Sequence, residues 1–314
     1  MFSNIFVNPN LAPLPTLPPP NAHIRAFHKS LPHYEPTPLV SLPELASQLG
    51  VGHVLLKDES RRLGLPAFKI VGASWATARA LSERLGIAAD PMLGIEALST
   101  VARAADLTLY AATEGNHGRA VARMAKYLGI KARIYVPRFS DEVVRNNLTS
   151  EGAEVIVCRG SYDDAVQETK AGAESHPGGN GLLISDTALV AGDEVAQWIV
   201  DGYQTIFDEV EEQIARITDA PITHVLSPVG VGSLCQAVVT HFRRQTRPQK
   251  PDIITVEPEV AACLKASLRA GEMVSIDAGY TICSGMCCGT VYVFHGDQMF
   301  QDLTSPDPQT RGHS

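Results

Sequence analysis

No stretch of the 314 residues is apolar for long enough to cross a bilayer, which takes about 20 consecutive residues in a helix. The first ten, MFSNIFVNPN, have neither a basic start nor a sustained apolar run, so no secretory signal is read there. Positive charge is in deficit: 26 Lys and Arg against 34 Asp and Glu give a net charge of -8. That balance excludes a nucleic-acid partner bound by neutralising phosphates. C-x-x-C pairs and His-rich metal spacings are both missing, so no metal site is expected. The six cysteines (158, 235, 263, 283, 287 and 288) read as buried thiols rather than a disulfide framework, and two adjacent thiols in a glycine-flanked turn are favoured over a redox pair at 287 and 288. With 45% hydrophobic and 19% charged residues, the expectation is a globular protein of the cytoplasm, with no membrane partner.

Proline is dense only near the start, where NPNLAPLPTLPPPN (8–21) reads as an extended arm because each ring removes a donor and fixes its torsion. Leu39–Gly50 then has a helical pattern, and His53–Ser60 reads as a strand running into a polar turn. Beyond this point short apolar strands alternate with amphipathic helices. LTLYAAT, KARIYVP, AEVIVCR, GLLIS, THVLSPV and DIITVEP are the strands, and GNHGRAVARMAKYLG ends as a helix at Gly129. The stretch from Glu194 to Ile217 is one long helix or two shorter ones. Alternation of this kind without hairpin signals implies an α/β fold of parallel sheets with right-handed crossovers, in two lobes with a cleft between them. From Val291 the chain has no sustained period and reads as a poorly packed tail.

Three constellations carry chemistry. Lys69, in LPAFKIVGA, sits among Ala67, Phe68, Ile70 and Val71 at a helix entry. It reads either as a snorkelling lysine at a helix end or as a Schiff-base lysine whose amine is freed by desolvation. TEGNHGRAV (113–121) is a strand-to-helix junction whose first amides suit a carboxylate or phosphate, unless Asn116 is simply the helix cap. PVGVGSL (228–234) is a second such junction. It lacks the third glycine of a dinucleotide fingerprint and the GK[ST] of a P-loop, which argues for one phosphate rather than a nucleotide. An amine and two anion-binding turns at strand ends are the parts that hold pyridoxal phosphate and an amino acid.

The order AFKIVGA, GNHG and a glycine-rich turn resembles the fold type II pyridoxal-phosphate enzymes, the tryptophan synthase β and threonine dehydratase group, and within it the diaminopropionate ammonia-lyase family. KDES, LLISDTA, WIVDGYQTIFDE, VEPEVAACLKASL and GYTICSGMCCGT carry the likeness further, from about 34 to 290. The resemblance implies Lys69 as the lysine that carries the cofactor, Asn116 beside its ring hydroxyl, and Gly230, Val231, Gly232 and Ser233 around its phosphate. It implies Asp186 as a proton acceptor, Glu114 as a second base on the opposite face, and Thr113, Gly115 and His117 as substrate contacts. Ammonia would be eliminated from 2,3-diaminopropionate to leave pyruvate; a serine or threonine dehydratase-like eliminase and a non-catalytic homologue are the rival readings. A homodimer is implied too. So are an arm (1–33), a large cofactor-binding domain (34–105 and 189–290), a small α/β domain (106–188) and a divergent tail (291–314).

Three departures from the family pattern stand out. Glu114 replaces the usual aspartate, one methylene longer, and a misplacement of about 1 Å can cost on the order of 100-fold; the bland reading is a solvated acid in a turn. Leu189-Val190-Ala191-Gly192 replaces an aromatic, an acid and a glycine after Asp186. The likeness stops at Thr290 or Val291, which predicts an incomplete large domain with apolar surface left uncovered.

Overall fold

The computed structural model describes residues 5–8, 19–88, 93–186, 193–243 and 249–291. Most of the proline-dense arm, Leu189 to Gly192 and the tail from 292 lie outside them. The chain forms two compact units, one of Asn21–Asp186 with Asp201–Ala220, the other of Met1–Pro20, Thr187–Val200 and Pro221–Ser314.

The first unit opens with α1 (Ala22–Lys29), started by Asn21, whose side chain accepts the His23 amide. This helix corrects the expectation of an extended arm to residue 33. Past Pro20 nothing fixes the torsions, and buried Ile24, Phe27 and His28 recur at helical spacing. The helix expected across Leu39–Gly50 also changes. Leu39–Ser41 is a strand, β1, and α2 runs only from Pro43 to Leu49. Pro43 is the reason: it is tolerated in a first turn and not within a helix. β1 pairs antiparallel with β2 (Leu55–Lys57), a small departure from an all-parallel pattern.

Next come α3 (Lys69–Arg84), α4 (Ile95–Ala104), β3 (Thr108–Ala112), α5 (Asn116–Leu128), β4 (Lys131–Val136), α6 (Glu142–Ser150), β5 (Glu154–Val157), α7 (Tyr162–Glu174) and β6 (Gly181–Leu183). The four strands form one parallel sheet in the order β5-β4-β3-β6. Every residue of β3 is buried, as a central parallel strand covered on both faces requires. Helix α5 packs against β3, and α3 packs along α5 and is buried almost all round. Its Gly72, Ala73, Ser74, Ala76, Ala78 and Ala80 keep the helix thin, while Trp75 and Leu81 fill the core.

After α8 (Glu194–Gly202), α9 (Gln204–Ile214) is a separate helix. Gly202 marks the break: a Cβ there would lie 2.5 Å from the Val71 carbonyl oxygen of α3. On α9, buried Glu209 accepts from Arg62, Lys57 and Tyr34, and Arg62 also reaches Glu59 and Thr37. These bonds tie the loop before Lys69 to α9. From the other side Arg123 of α5 donates to the carbonyl of Leu63, a residue held at φ 51°.

The second unit contains β7 (His224–Pro228), α10 (Ser233–Phe242), β8 (Asp252–Val256) and α11 (Cys263–Ala270). β7 and β8 pair in parallel. Val229, Cys235, Val239, Cys263, Leu264 and Val291 make its core. Parallel strands are ordinarily covered on both faces, yet Leu226 is 66% exposed and Ile254 and Val256 are 43% and 47% exposed. Among the described residues no helix is long and apolar enough to cross a membrane.

Candidate active site

Lys69 is the first residue of α3, following Phe68, which supplies no side-chain cap. A helix start and burial both disfavour an ammonium. Opposing them is Asp186, three residues past β6, whose Oδ2 lies 3.0 Å from Lys69 Nζ. Burial draws the Lys69 ammonium down, but the Asp186 carboxylate, with Tyr203 and Tyr162, outweighs it and the net shift is upward. Asp186 behaves conversely. Burial pushes its carboxyl up, the His117 ring and the Lys69 ammonium pull harder, and it settles at about 2. Lys69 and Asp186 are therefore an ion pair near neutral pH, walled by Phe68 and Tyr203, whose rings meet edge-on at 5.1 Å.

Thr113 follows β3, and its hydroxyl accepts from the amides of Gly115 (2.9 Å) and Gly118 (3.0 Å). The capping of α5 thus falls to Thr113. Asn116, read as either cap or ligand, is the first residue of the helix, and its side chain is exposed and caps nothing. Two of the amides expected to seat an anion are already used, which leaves those of Asn116 and His117. Gly118 is required by packing, since a Cβ would stand 2.4 Å from Thr113 Cγ2 and 2.8 Å from Ile134 Cγ2. Gly118→Ala is expected to lower stability by about 1–3 kcal/mol through overpacking. Chemical denaturation followed by circular dichroism measures it, and an unchanged midpoint would contradict the packing role.

His117 is buried, and its Nε2 lies 2.9 Å from the Ile184 carbonyl oxygen. Its Nδ1 is buried without a hydrogen-bond partner and stands 3.7 Å from Asp186 Oδ2. Lys69, Asp186 and His117 thus converge on one carboxylate. Glu114 does not join them. Its side chain is exposed, and burial of its surroundings followed by the charge of Asp163 raises its carboxyl. Neither Tyr203 nor the Ile184 carbonyl was visible as a site group in the sequence. The only available signal was their place within the WIVDGYQTIFDE and LLISDTA stretches.

Gly230, Val231, Gly232 and Ser233 belong to the second unit, in the turn from β7 to α10. Gly232 has φ 103°, a conformation that favours glycine, and aims the chain into α10 with buried Ser233 as its first residue. Gly230 has a reason of its own: a Cβ would lie 2.7 Å from the Gly285 carbonyl oxygen. A glycine turn opening a ten-residue helix presents amides of the kind that bind a phosphate.

The profile of the family described as pyridoxal-phosphate dependent enzyme matches residues 30–303, past Val291, where the likeness was expected to stop. A diaminopropionate ammonia-lyase of Salmonella typhimurium is 37% identical over 273 residues, covering 85% of this chain and 66% of that protein. This chain spans about two thirds of the length of that relative. The crystal structure of the Escherichia coli diaminopropionate ammonia lyase in complex with an aminoacrylate-PLP azomethine reaction intermediate is 33% identical, with a TM-score of 0.78 over 95% of this chain and 72% of that one. A processed threonine deaminase from Solanum lycopersicum, 22% identical, shares the fold at a TM-score of 0.67 over 96% of this chain and 79% of its own.

Proposed function

The chain belongs to the pyridoxal-phosphate dependent enzyme family, and from that premise we propose that it eliminates ammonia from 2,3-diaminopropionate, leaving pyruvate and ammonia. The observation that carries the reading is the buried Lys69–Asp186 pair at the start of α3. The residues present fit the cofactor. A shielded primary amine is available to hold it at Lys69, an exposed amide side chain at Asn116 is free to meet a ring hydroxyl, and the Gly230–Ser233 turn suits a phosphate. When bound, the cofactor supplies a sink for the electron pair released as the substrate loses its α-proton.

The chain's own residues handle the protons. While paired with an ammonium, Asp186 is too weak a base to take a proton from carbon. Once Lys69 is no longer charged, one of the two neighbours that hold the Asp186 carboxyl down is gone, and its proton affinity rises. Its Oδ2 then accepts the α-proton. The leaving amine departs only when protonated, so a group that has gained a proton must also give one back. Thr113, whose hydroxyl oxygen already accepts two amides, has its own proton to donate, and with the remaining Asn116 and His117 amides it suits a substrate carboxylate. Glu114, raised and exposed at the same turn, suits a second base for the opposite enantiomer. Six cysteines that form no disulfide fit a reducing cytoplasm, and a homodimer accompanies the family resemblance.

The deciding assay compares pyruvate release from D- and L-diaminopropionate with keto-acid release from serine and threonine, using protein loaded with the cofactor. Diaminopropionate is expected to be the faster substrate in both forms. Turnover of serine and threonine alone would move the protein to a dehydratase-like eliminase. No turnover and no cofactor absorbance would leave the non-catalytic reading.

A further inference from the structure

The ring of His117 has two nitrogens in different situations. Nε2 faces the Ile184 carbonyl oxygen at 2.9 Å, and because a carbonyl can only accept, Nε2 carries a proton and donates it. Nδ1 has no hydrogen-bond partner, although the residue is only 5% exposed. Buried polar atoms are rarely left in this way. Asp186 Oδ2 stands 3.7 Å from it, the same oxygen that Lys69 Nζ approaches at 3.0 Å. The ring is pinned at its far side, so any closing of the 3.7 Å gap falls to the carboxylate.

We propose that His117 is a proton relay for Asp186, with Nδ1 taking the proton that the carboxylate collects. Lys69 holds Oδ2 only while it is an ammonium. Released from it, the carboxylate needs a movement of about 1 Å to bring Oδ2 within hydrogen-bond reach of Nδ1. The transfer balances simply: the O–H bond on Asp186 breaks as the N–H bond at Nδ1 forms, leaving a carboxylate and an imidazolium. Running the step backwards returns the proton to Asp186 when the leaving amine needs it. Among the described residues the groups facing the pair are Lys69 from α3, with Tyr203 and Tyr162 beside the lysine, so Lys69 is the cation the relay must wait for. The inference rests on the elimination reading only for the origin of the proton.

His117→Gln separates relay from scaffold. A glutamine amide placed at the Nε2 position still donates to Ile184, but nothing in it accepts a proton at the Nδ1 position. In the cofactor-loaded enzyme, kcat for diaminopropionate is expected to fall about 100-fold, with KM and melting temperature little changed. A kcat within about threefold of the parent would overturn the relay. Independently of turnover, the nitrogen-15 spectrum of the labelled His117 ring in the holoenzyme is compared with that of Asp186→Asn. The Nδ1 signal is expected to move and the Nε2 signal to remain that of a protonated nitrogen. An Nδ1 signal indifferent to Asp186, or an Nε2 without its proton, refutes the proposal. Should the parent enzyme release no pyruvate, the substrate reading fails, and the ring spectrum still decides this one.

Discussion

Lys69→Ala is expected to abolish cofactor retention and turnover together, with the visible absorbance of the bound cofactor lost and the rate down on the order of 10,000-fold. The size of the effect follows from the site having no substitute. Near neutral pH Lys69 Nζ is the cation that Asp186 holds, and among the described residues no second lysine is paired with that carboxylate. Alanine also leaves Asp186 buried with His117 as its remaining neighbour, so its carboxyl rises. Lys69→Arg separates the two contributions. Arginine keeps the charge opposite Asp186 and so preserves the fold, but a guanidinium cannot carry the cofactor. It is expected to melt near the parent temperature and be as inactive as the alanine variant. Absorbance and pyruvate release retained in either variant would remove Lys69 from the chemistry.

The second large effect concerns stability. Glu209→Ala strips the acceptor from Arg62, Lys57 and Tyr34 in a part of the first unit that excludes water. Truncating one side of a buried ion pair typically costs about 3–5 kcal/mol, because the other charge stays buried. Here Glu59 still receives Arg62, which places the expected loss at the lower end, about 3 kcal/mol, read from urea unfolding. Glu209 also predicts a pH dependence. Burial pushes its carboxyl up, but Arg62 and Lys57 bring it from 4.5 to about 2. A depressed carboxylate stabilises above its unfolded value and loses that contribution as pH falls towards the folded one. The acid-side decline between about 4.5 and 2 should therefore be shallower in Glu209→Ala. An identical decline in both proteins would show that the network carries no such weight.

Much of this architecture was legible because its signals are local. β3 and α5 follow from an apolar run, a glycine turn and a helical repeat that ends at Gly129, all contiguous. Lys69, Asn116 and the Gly230–Ser233 turn were singled out by spacing and likeness of the same local kind. What escaped depends on distant partners. The α1 helix hides behind a proline-rich stretch, and β1 hides within a helical pattern that only Pro43 contradicts. Glu209 looks like one acid among several on an exposed helix face, and Arg62 lies 147 residues away from it along the chain. The alternative reading of Asn116 as the cap of α5 gives way for a subtler reason. Asn116 is a good capping residue by type, but the Thr113 hydroxyl reaches the amides of Gly115 and Gly118 first, a contact no spacing rule displays. Glu114 stays outside the buried cluster, as its extra methylene and exposed position would suggest.

Helix α3 has a consequence for descent. It is enclosed on nearly every side, so inherited changes along it meet packed neighbours and are mostly purged. Glu114 is exposed at the turn after β3 and carries no such packing penalty. A lineage can therefore explore new substrates by varying Glu114 while the lysine's seat stays constant. Innovation is confined to one wall of the site, and ancestry is preserved in the other.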